Sequence, residues 1–484
     1  SFGVDPGLTR VALRALADRK TVVIDRERVY PPPLFQAESR LARELVRVLQ
    51  RGVAPVPAAL LARGSVAQAL APLHPRQREA VEASLREPLL VLTGGPGTGK
   101  TTTVKALVAL QRAAGHKVVL AAPTGRAAKR LAEATGHPAG TIHRLLEWTP
   151  RVQRFARDES SPLDADVVLV DEASMLDVQL GAALLGALRP GARMVLVGDA
   201  DQLPPVGPGT VLADLLATPE VRAVRLTEVF RQATTSAIVR GAYEVLTGSP
   251  PRPSPPRPPL PEGAAPIPPA GELFLVERDE AEEAAAVLVD LVARRLPRSF
   301  GLDPIRDVQV LVPTHRGPLG AQSLNEALQA ALNPAATRGR RGLSPGDKVM
   351  QHKNDYDLDV WNGDLGVVAR LEGDKVVAVI DGREVTYAGA AAENLSLAYA
   401  ATVHKSQGSE YDAVVIGLHP SHFVLLNRAL VYTAITRARR LAVIVGSPKA
   451  LRLAVDTARL VERHGALRER LRDALASADR RPRP

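Results

Sequence analysis

Cysteine is absent from all 484 residues. That removes structural disulfides, thiol nucleophiles and cysteine-built zinc sites, and it fits a reducing, cytoplasmic setting. Histidine-built zinc sites are disfavoured too, because the histidines lack HExxH spacing. Aromatic residues make up only 3%, too few for a single-strand binder that rests on many stacking platforms. Trp148, Phe230, Tyr356, Trp361 and Tyr399 are the candidates for base stacking, each set against the usual fate of such residues as core packing. No apolar run approaches the roughly 18 residues of a membrane span, and no signal peptide is expected. Acidic residues are outnumbered, 52 against 62 Lys and Arg, for a formal charge of +10. Such a balance is compatible with a polyanionic partner, although a basic surface alone specifies none. Hydrophobic residues reach 45%, enough for sizeable cores, and the length suits about three domains.

What is present is more specific. Gly94 to Thr101 read GGPGTGKT, fitting G-x-x-x-x-G-K-[ST] at every fixed position. An apolar run, Leu89–Leu92, precedes it and a helical pattern, Thr101–Gln111, follows. Glycine-rich backbone closes N–H groups around phosphates, and a helix N-terminus adds positive potential. Gly95, Pro96, Gly97, Thr98, Gly99, Lys100, Thr101 and Thr102 therefore form the expected nucleotide cradle. Lys100 reaches the β- and γ-phosphates and Thr101 holds Mg²⁺. The expected cofactors are ATP and Mg²⁺.

Apolar runs at Leu89–Leu92, Val118–Ala121, Val167–Val170, Met194–Val197 and Val221–Leu226 alternate with helical stretches, the pattern of a parallel sheet covered on both faces. A second βα pattern starts near 271 (Val308–Val312, then Leu319–Leu332) and resumes over about 396–448 (Ala413–Gly417, Leu430–Ile435, Leu441–Val445). Between them, Val367–Leu371 and Val376–Ile380 alternate around Gly-containing turns, predicting a small β-barrel-like insert. Helical patterns at Leu8–Ala17 and Leu34–Leu49 flank a β-like run, Lys20–Val29, and a proline-rich stretch covers about 250–270. Such a stretch reads as an extended linker or spacer. The expected division is 1–70, an N-terminal accessory region; 71–250, the first α/β domain; 251–270, the linker; 271–341 with 392–450, the second α/β domain; 342–391, its insert; and 451–484, a helical tail.

Val167–Val170 ends in Asp171-Glu172. An acidic pair at a strand's carboxyl end beside a phosphate loop suits a metal-positioning Asp171 and a water-polarising Glu172. A later strand end, Gly198-Asp199-Ala200-Asp201-Gln202, is followed by Leu203-Pro204-Pro205. Gln202 is either a γ-phosphate sensor or part of an ordinary turn. Arg231 and Arg437 are the arginines that could meet charge developing in phosphoryl transfer. Arg437 lies in the second domain, so reaching the nucleotide requires the domains to close.

Ten segments in order resemble the motifs of superfamily 1 helicases: LHPRQREAV (Leu73–Val81), GGPGTGKT, AAPTGRAAKRL (Ala121–Leu131), TIHRLL (Thr141–Leu146), VDEASM (Val170–Met175), VGDADQLPPVGPG (Val197–Gly209), LTEVFRQ (Leu226–Gln232), VLVPTHRG (Val310–Gly317), TVHKSQGSEYD (Thr402–Asp412) and VYTAITRAR (Val431–Arg439). The wording DEASM, GDADQLPPVGPG and HKSQGSE resembles the RecD-like 5′→3′ branch, in particular its stand-alone bacterial form. Those proteins carry residues ahead of the motor, and residue 1 here is Ser, so a trimmed N-terminus is expected.

The resemblance implies two RecA-like motor domains, with a small hairpin at 146–166 acting as a strand-splitting pin and an SH3-like barrel at 342–391. It implies that Gln77 reads adenine and that Gly408 and Glu410 join Lys100, Thr101, Asp171, Glu172, Gln202, Arg231 and Arg437 at the nucleotide. Strand contacts are implied at Pro123, Thr124, Gly125, Thr141 and His143 in the first domain, and at Pro313, Thr314, His315, Thr402, His404 and Lys405 in the second. Groups of these types grip phosphates without reading sequence. The implied activity is an ATP-driven 5′→3′ DNA helicase serving repair or recombination, a monomeric motor on single-stranded and tailed duplex DNA. Asn354, Tyr356 and Trp361 of the insert are expected to guide DNA. No nuclease-type carboxylate cluster stands outside the ATP site, so no DNA cleavage is expected. An RNA helicase of the same branch, or a strand-stimulated ATPase that remodels without unwinding, remain open readings.

Overall fold

The computed structural model describes residues 5–54, 64–149, 152–230, 235–258, 261, 264–334, 342–458 and 463–479. Two all-parallel sheets dominate. The first has six strands in the order Arg222–Leu226, Leu89–Gly94, Arg193–Gly198, Val167–Val170, Val118–Ala122 and Ala139–Thr141. Its central strands are apolar at nearly every position because both faces are covered. Successive residues point to opposite faces. Leu89 and Val91 accordingly enter one core with Ile142 and Leu184, while Leu90 and Leu92 enter another with Val81 and Leu107.

The second sheet runs Glu272–Glu277, Ala438–Gly446, Tyr411–Leu418, Val308–Val312 and Ala400–Thr402. It divides its residues the same way: Val414 and Ile416 face one core, Ala413 and Val415 the other. The helix Ala237–Leu246 supplies Ile238, Ala242 and Val245 to the core that holds Leu430 and Tyr432. The second domain's packing therefore begins before the proline-rich stretch, which links two elements of the same domain. That stretch is pinned there. Ser254 N donates to Leu273 O at 2.6 Å, and the Arg257 guanidinium lies 4.8 Å from the Phe300 ring centroid.

Both inserts take the expected form. Trp148–Thr149 and Arg154–Phe155 pair as a short antiparallel hairpin, with the Trp148 and Phe155 rings 4.7 Å apart. In the second domain Arg383–Tyr387, Lys375–Ile380, Leu365–Glu372, Lys348–Gln351 and Leu395–Leu397 form a five-stranded antiparallel sheet around its own small core. Asp347 roots this insert, accepting from Gln329 Nε2 at 2.6 Å, Asn333 Nδ2 at 2.9 Å, Ser344 N at 2.7 Å and the Tyr399 hydroxyl at 3.0 Å. Tyr399 is thereby a buried anchor of the second domain, which takes it out of the base-stacking candidates.

The helix Pro32–Gln50 of the N-terminal region is a layer of the first domain. Leu41, Leu45 and Val48, on the helix Pro32–Gln50, share a core with Leu184 and Leu185 of the helix Val178–Gly186. Leu467 and Leu471, on the C-terminal helix Leu467–Asp479, join the same core. Glu38, nearly fully buried, accepts from Ala466 N at 3.1 Å and from Arg470 Nε at 2.9 Å. Arg470 also meets Asp25 at 2.6 Å. Breaking such a buried pair from one side costs about 3–5 kcal/mol, because the remaining charge is stranded. The chain therefore crosses between the domains twice: once before Ala237–Leu246, and again between Pro448–Asp456, which packs on the second domain, and Leu467–Asp479 on the first.

Candidate functional site

The carboxyl ends of the first sheet's central strands meet the facing edge of the second domain. Gly94 ends its strand and the loop turns back through Gly97 and Gly99, at φ 75° and 77°, where a side chain is strained. A Cβ on Gly99 would lie 2.2 Å from Gln77 Nε2. The helix Lys100–Ala113 starts at once, and its first-turn hydroxyls Thr101 and Thr102 are exposed. Lys100 Nζ donates to Gly94 O, and to Gly95 O at 3.0 Å. Thr98 Oγ1 donates to Gly95 O at 2.8 Å.

Gln77 is buried beneath this loop with both ends of its amide engaged. Nε2 donates to Thr98 O at 3.2 Å, and Oε1 accepts from His74 N at 3.1 Å. Phe230 N donates to Gly97 O at 3.2 Å, and its ring sits edge-on to His74 at 6.2 Å. Arg231 lies outside the described residues.

Asp171 and Glu172 follow the strand Val167–Val170. Burial, then the Glu172 charge, pushes the Asp171 carboxyl up to about 6, against opposition from Arg130 and Lys100. Glu172 adopts φ 52°, a left-handed conformation that costs a non-glycine residue about 1 kcal/mol or more. Both expected metal ligands are oxygen donors, the Thr101 hydroxyl and the Asp171 carboxylate. That chemistry fits Mg²⁺, which uses one or two carboxylates together with substrate phosphates and water.

The next strand end is shared between the domains. Asp199, buried, accepts from the Tyr432 hydroxyl at 2.7 Å, from Gln202 Nε2 at 3.2 Å and from Asp201 N at 3.1 Å. Tyr432 stands on the helix Arg428–Thr436 of the second domain. The next residue, Thr433, accepts through Oγ1 from Leu203 N at 2.9 Å, and Gln407 Nε2 donates to Leu203 O at 2.9 Å. Tyr243, on a helix of the second domain's core, donates to Pro96 O at 3.3 Å. Tyr243, Asp199 and Tyr432 were not among the residues expected from sequence. Their signal is a partner some 150 to 230 positions distant, which spacing does not carry.

Arg437 is buried on its own domain, with Nη1 donating to Ser409 O at 3.1 Å and Nε to Thr433 O at 3.2 Å. It sits beside Glu410. Burial opposes ionisation of Glu410, but the guanidinium groups of Arg130, Arg437 and Arg439 hold its carboxyl below the usual range. Arg130 belongs to the first domain and bridges the cleft, bonding Glu410 and donating to Gly408 O at 3.3 Å. Gly408, at φ 73°, is pressed so closely on the first domain that a Cβ would meet Thr124 Oγ1 at 2.8 Å.

The expected strand-contact residues fall into two groups, one per domain. Thr124 and Thr141 cap the helices Gly125–Thr135 and Ile142–Leu145, accepting from Ala127 N at 3.3 Å and Arg144 N at 3.1 Å. Each such cap is worth about 1 kcal/mol. Pro123 lies at the end of the strand before the first of these helices. Against Gly125 packs Trp361 of the insert, where a Cβ would come within 2.6 Å. Arg144 ties the same two parts, 3.6 Å from Asp359 and 5.7 Å from the Trp361 ring centroid. His143 packs beside Trp148 and Phe155 of the hairpin, and burial lowers its proton affinity. In the second domain Pro313 is buried, Thr314 Oγ1 donates to Arg316 O at 3.1 Å and His315 is exposed. Thr402 leads into the short turn bearing His404 and Lys405. Burial lowers both groups' proton affinity, with Arg463 adding to the effect on His404. Lys405 Nζ lies 3.4 Å from His352 Nδ1 of the insert. Tyr356 and Trp361 pack edge to face at 5.4 Å, and Asn354 Oδ1 accepts from Asn362 N at 2.9 Å.

Two parallel-sheet domains, one carrying a phosphate loop that Tyr243 of the other meets at Pro96 O, define the class of two-domain P-loop proteins. Three family models match in chain order: an AAA domain over residues 72–252, an ATP-dependent RecD-like DNA helicase SH3 domain over 324–381, and a UvrD-like helicase C-terminal domain over 397–445. An ATP-dependent RecD2 DNA helicase of Deinococcus radiodurans is 40% identical over 452 residues, covering 92% of this chain and 59% of that protein. The RecBCD enzyme subunit RecD of Mycobacterium tuberculosis is 38% identical over 439 residues, covering 82% of this chain and 72% of that subunit. The chain belongs to the RecD family. It spans just under three fifths of the length of the Deinococcus relative. Likeness to solved structures is looser: a Bacteroides Pif1 helicase in complex with ADP-AlF3 and ssDNA aligns at 19% identity and TM-score 0.46, covering 77% of this chain and 92% of that one. Among the described residues no helix is long and apolar enough to cross a membrane.

Proposed function

We propose that this chain is the motor of an ATP-driven DNA helicase that moves 5′→3′ on single-stranded DNA and separates duplex ahead of it. The observation that carries the reading is the shared strand end. Asp199, hydrogen-bonded to Gln202 on the nucleotide side, is also held by Tyr432 of the opposite domain. A change at the γ-phosphate thus has a direct route to the relative position of the two domains, each of which bears one set of strand-contact residues. Closure with ATP and opening after hydrolysis then move the two grips alternately.

In this reading Lys100 holds the β- and γ-phosphates, and Thr101 and Asp171 hold Mg²⁺. Glu172 orients the attacking water, Gln202 senses the γ-phosphate, and Arg231 and Arg437 neutralise charge in the transition state. Gln77 acts beneath the loop, where its amide shapes the cradle and reads the adenine edge. The hairpin Trp148–Phe155 is the strand-splitting pin, and the insert borders the track through Trp361. A role in repair or recombination, a cytoplasmic location and action as a monomer accompany this reading.

Strand displacement with ATP and Mg²⁺ on duplexes bearing a 5′ or a 3′ single-stranded tail tests it. Displacement from the 5′-tailed duplex alone is expected. Displacement from the 3′ tail overturns the direction. Displacement from neither, with strand-stimulated hydrolysis intact, overturns unwinding and leaves a remodelling ATPase. Faster displacement on RNA than on DNA overturns the substrate.

A further inference from the structure

The loop after Gln202 has an unusual polar balance. Leu203-Pro204-Pro205-Val206-Gly207-Pro208-Gly209 contains three prolines, which have no N–H to donate. What it must satisfy is chiefly carbonyl oxygen, so its natural partner is a multiple donor. The structure supplies one from far along the chain. Arg463 Nη1 donates to Gly207 O at 2.5 Å and Gly209 O at 2.9 Å, and Nη2 donates to Pro205 O at 2.6 Å. The carbonyl of Pro208 is taken from the other side by Val178 N at 3.0 Å. The loop is wedged between these partners. A Cβ on Gly207 would lie 2.1 Å from Asp177 Oδ2, and one on Gly209 would lie 2.2 Å from Val178 Cγ2.

Arg463 occupies the second crossing between the domains. Behind it Pro448–Asp456 packs on the second domain; ahead of it Leu467–Asp479 is fixed to the first through Glu38 and Arg470. Its charge also acts on His404, whose proton affinity falls through burial and then through Arg463. One guanidinium thus holds the loop that continues from Gln202, and its charge is felt at His404, a proposed strand contact of the other domain.

We infer that Arg463 is a positioning residue of the motor, holding the Pro204–Gly209 loop so that the state of the strand track reaches Gln202. The inference rests on the proposed function for its consequence, and on the three carbonyl contacts for its mechanism. Arginine is required because its planar fork serves three acceptors at once, whereas a lysine ammonium is a compact point charge on a flexible stem.

The test compares Arg463→Ala and Arg463→Lys with the parent chain in two measurements. The first is amide hydrogen exchange at Leu203 and Val178, whose N–H groups donate to Thr433 Oγ1 and to the loop carbonyl of Pro208. At least tenfold faster exchange is expected for Arg463→Ala, with the Lys variant intermediate; exchange unchanged at both amides overturns the clamp whatever happens to turnover. The second is ATP hydrolysis with and without single-stranded DNA. The strand-stimulated kcat is expected to fall at least tenfold in Arg463→Ala, with the KM for ATP within twofold, the unstimulated rate kept and Tm unchanged. Arg463→Lys should recover part of the loss. A stimulated kcat within twofold of the parent overturns the positioning role. Stimulated and unstimulated rates falling together with Tm overturn it in favour of a structural one. A parent chain that hydrolyses ATP without strand stimulation defeats the proposed function, and hydrogen exchange still decides the clamp.

Discussion

Tyr432→Phe removes one hydroxyl from a fully buried position and leaves the ring's volume in place, so no cavity opens. What is lost is the 2.7 Å bond to Asp199. Asp199 keeps Gln202 Nε2 and Asp201 N, but nothing from the second domain replaces the hydroxyl. A hydrogen bond to a charged group contributes about 1.5–3 kcal/mol. Because this bond joins the domains only when they are together, that amount leaves the closed state alone. The closed-to-open ratio should drop roughly 10- to 150-fold, since each 1.4 kcal/mol is a factor of ten. If closure must precede hydrolysis, kcat/KM for ATP falls by a similar factor, while Tm, set by the separate cores, barely moves. Steady-state hydrolysis over a range of ATP concentrations with saturating single-stranded DNA measures it. A kcat/KM within twofold of the parent would show that this bond does not govern closure, and the coupling argument would fall with it.

Lys100→Ala should abolish ATP hydrolysis and spare nucleotide-free strand binding in a filter or anisotropy assay; turnover at the parent rate would misplace the cradle. Asp171→Asn should abolish hydrolysis yet raise Tm at pH 7.5 by roughly 2 °C or more. The Asp171 carboxyl keeps its proton up to about 6 in the fold, above its ordinary value near 3.8, so its contribution to stability declines as pH rises between those values and ionisation at neutral pH works against the fold. Calorimetry showing a lower Tm for Asn would reverse that sign. Replacing 148–155 by a short Gly/Ser turn should leave strand-stimulated hydrolysis intact and stop duplex separation; retained unwinding removes the pin. The replacement stays inside those bounds because Leu146, Leu163 and Ala165 belong to the first domain's core.

Much of this architecture was legible because its signals are local. A buried parallel strand needs a continuous apolar run, and Leu89–Leu92, Val167–Val170 and Met194–Val197 are such runs. The phosphate loop declares itself by glycines at fixed offsets between one such strand and a helix. Three strands of the two parallel sheets went unmarked: Ala139–Thr141 and Ala400–Thr402 are short and built of small residues at sheet edges, and Glu272–Glu277 is an edge strand bounded by charge. The site divides along the same line. Lys100, Asp171 and Gln202 could be placed from their strand ends. The pairs Asp199–Tyr432, Pro96–Tyr243 and Glu410–Arg130 could not, because each joins residues whose proximity the whole fold creates. The expected N-terminal accessory region shows the limit most plainly. Its helices were readable from apolar spacing, yet nothing in that spacing says that Pro32–Gln50 packs into the first domain's core beside the chain's last helix.

Glu172 sits at φ 52°, where Gly or Asn rests with less strain. A laboratory selection that rewards heat tolerance and ignores turnover should therefore drift at this position toward the smaller residues. On the role proposed for Glu172 in orienting the attacking water, the winners would be sturdy and idle. Position 172 is one to hold fixed whenever this protein is engineered for durability.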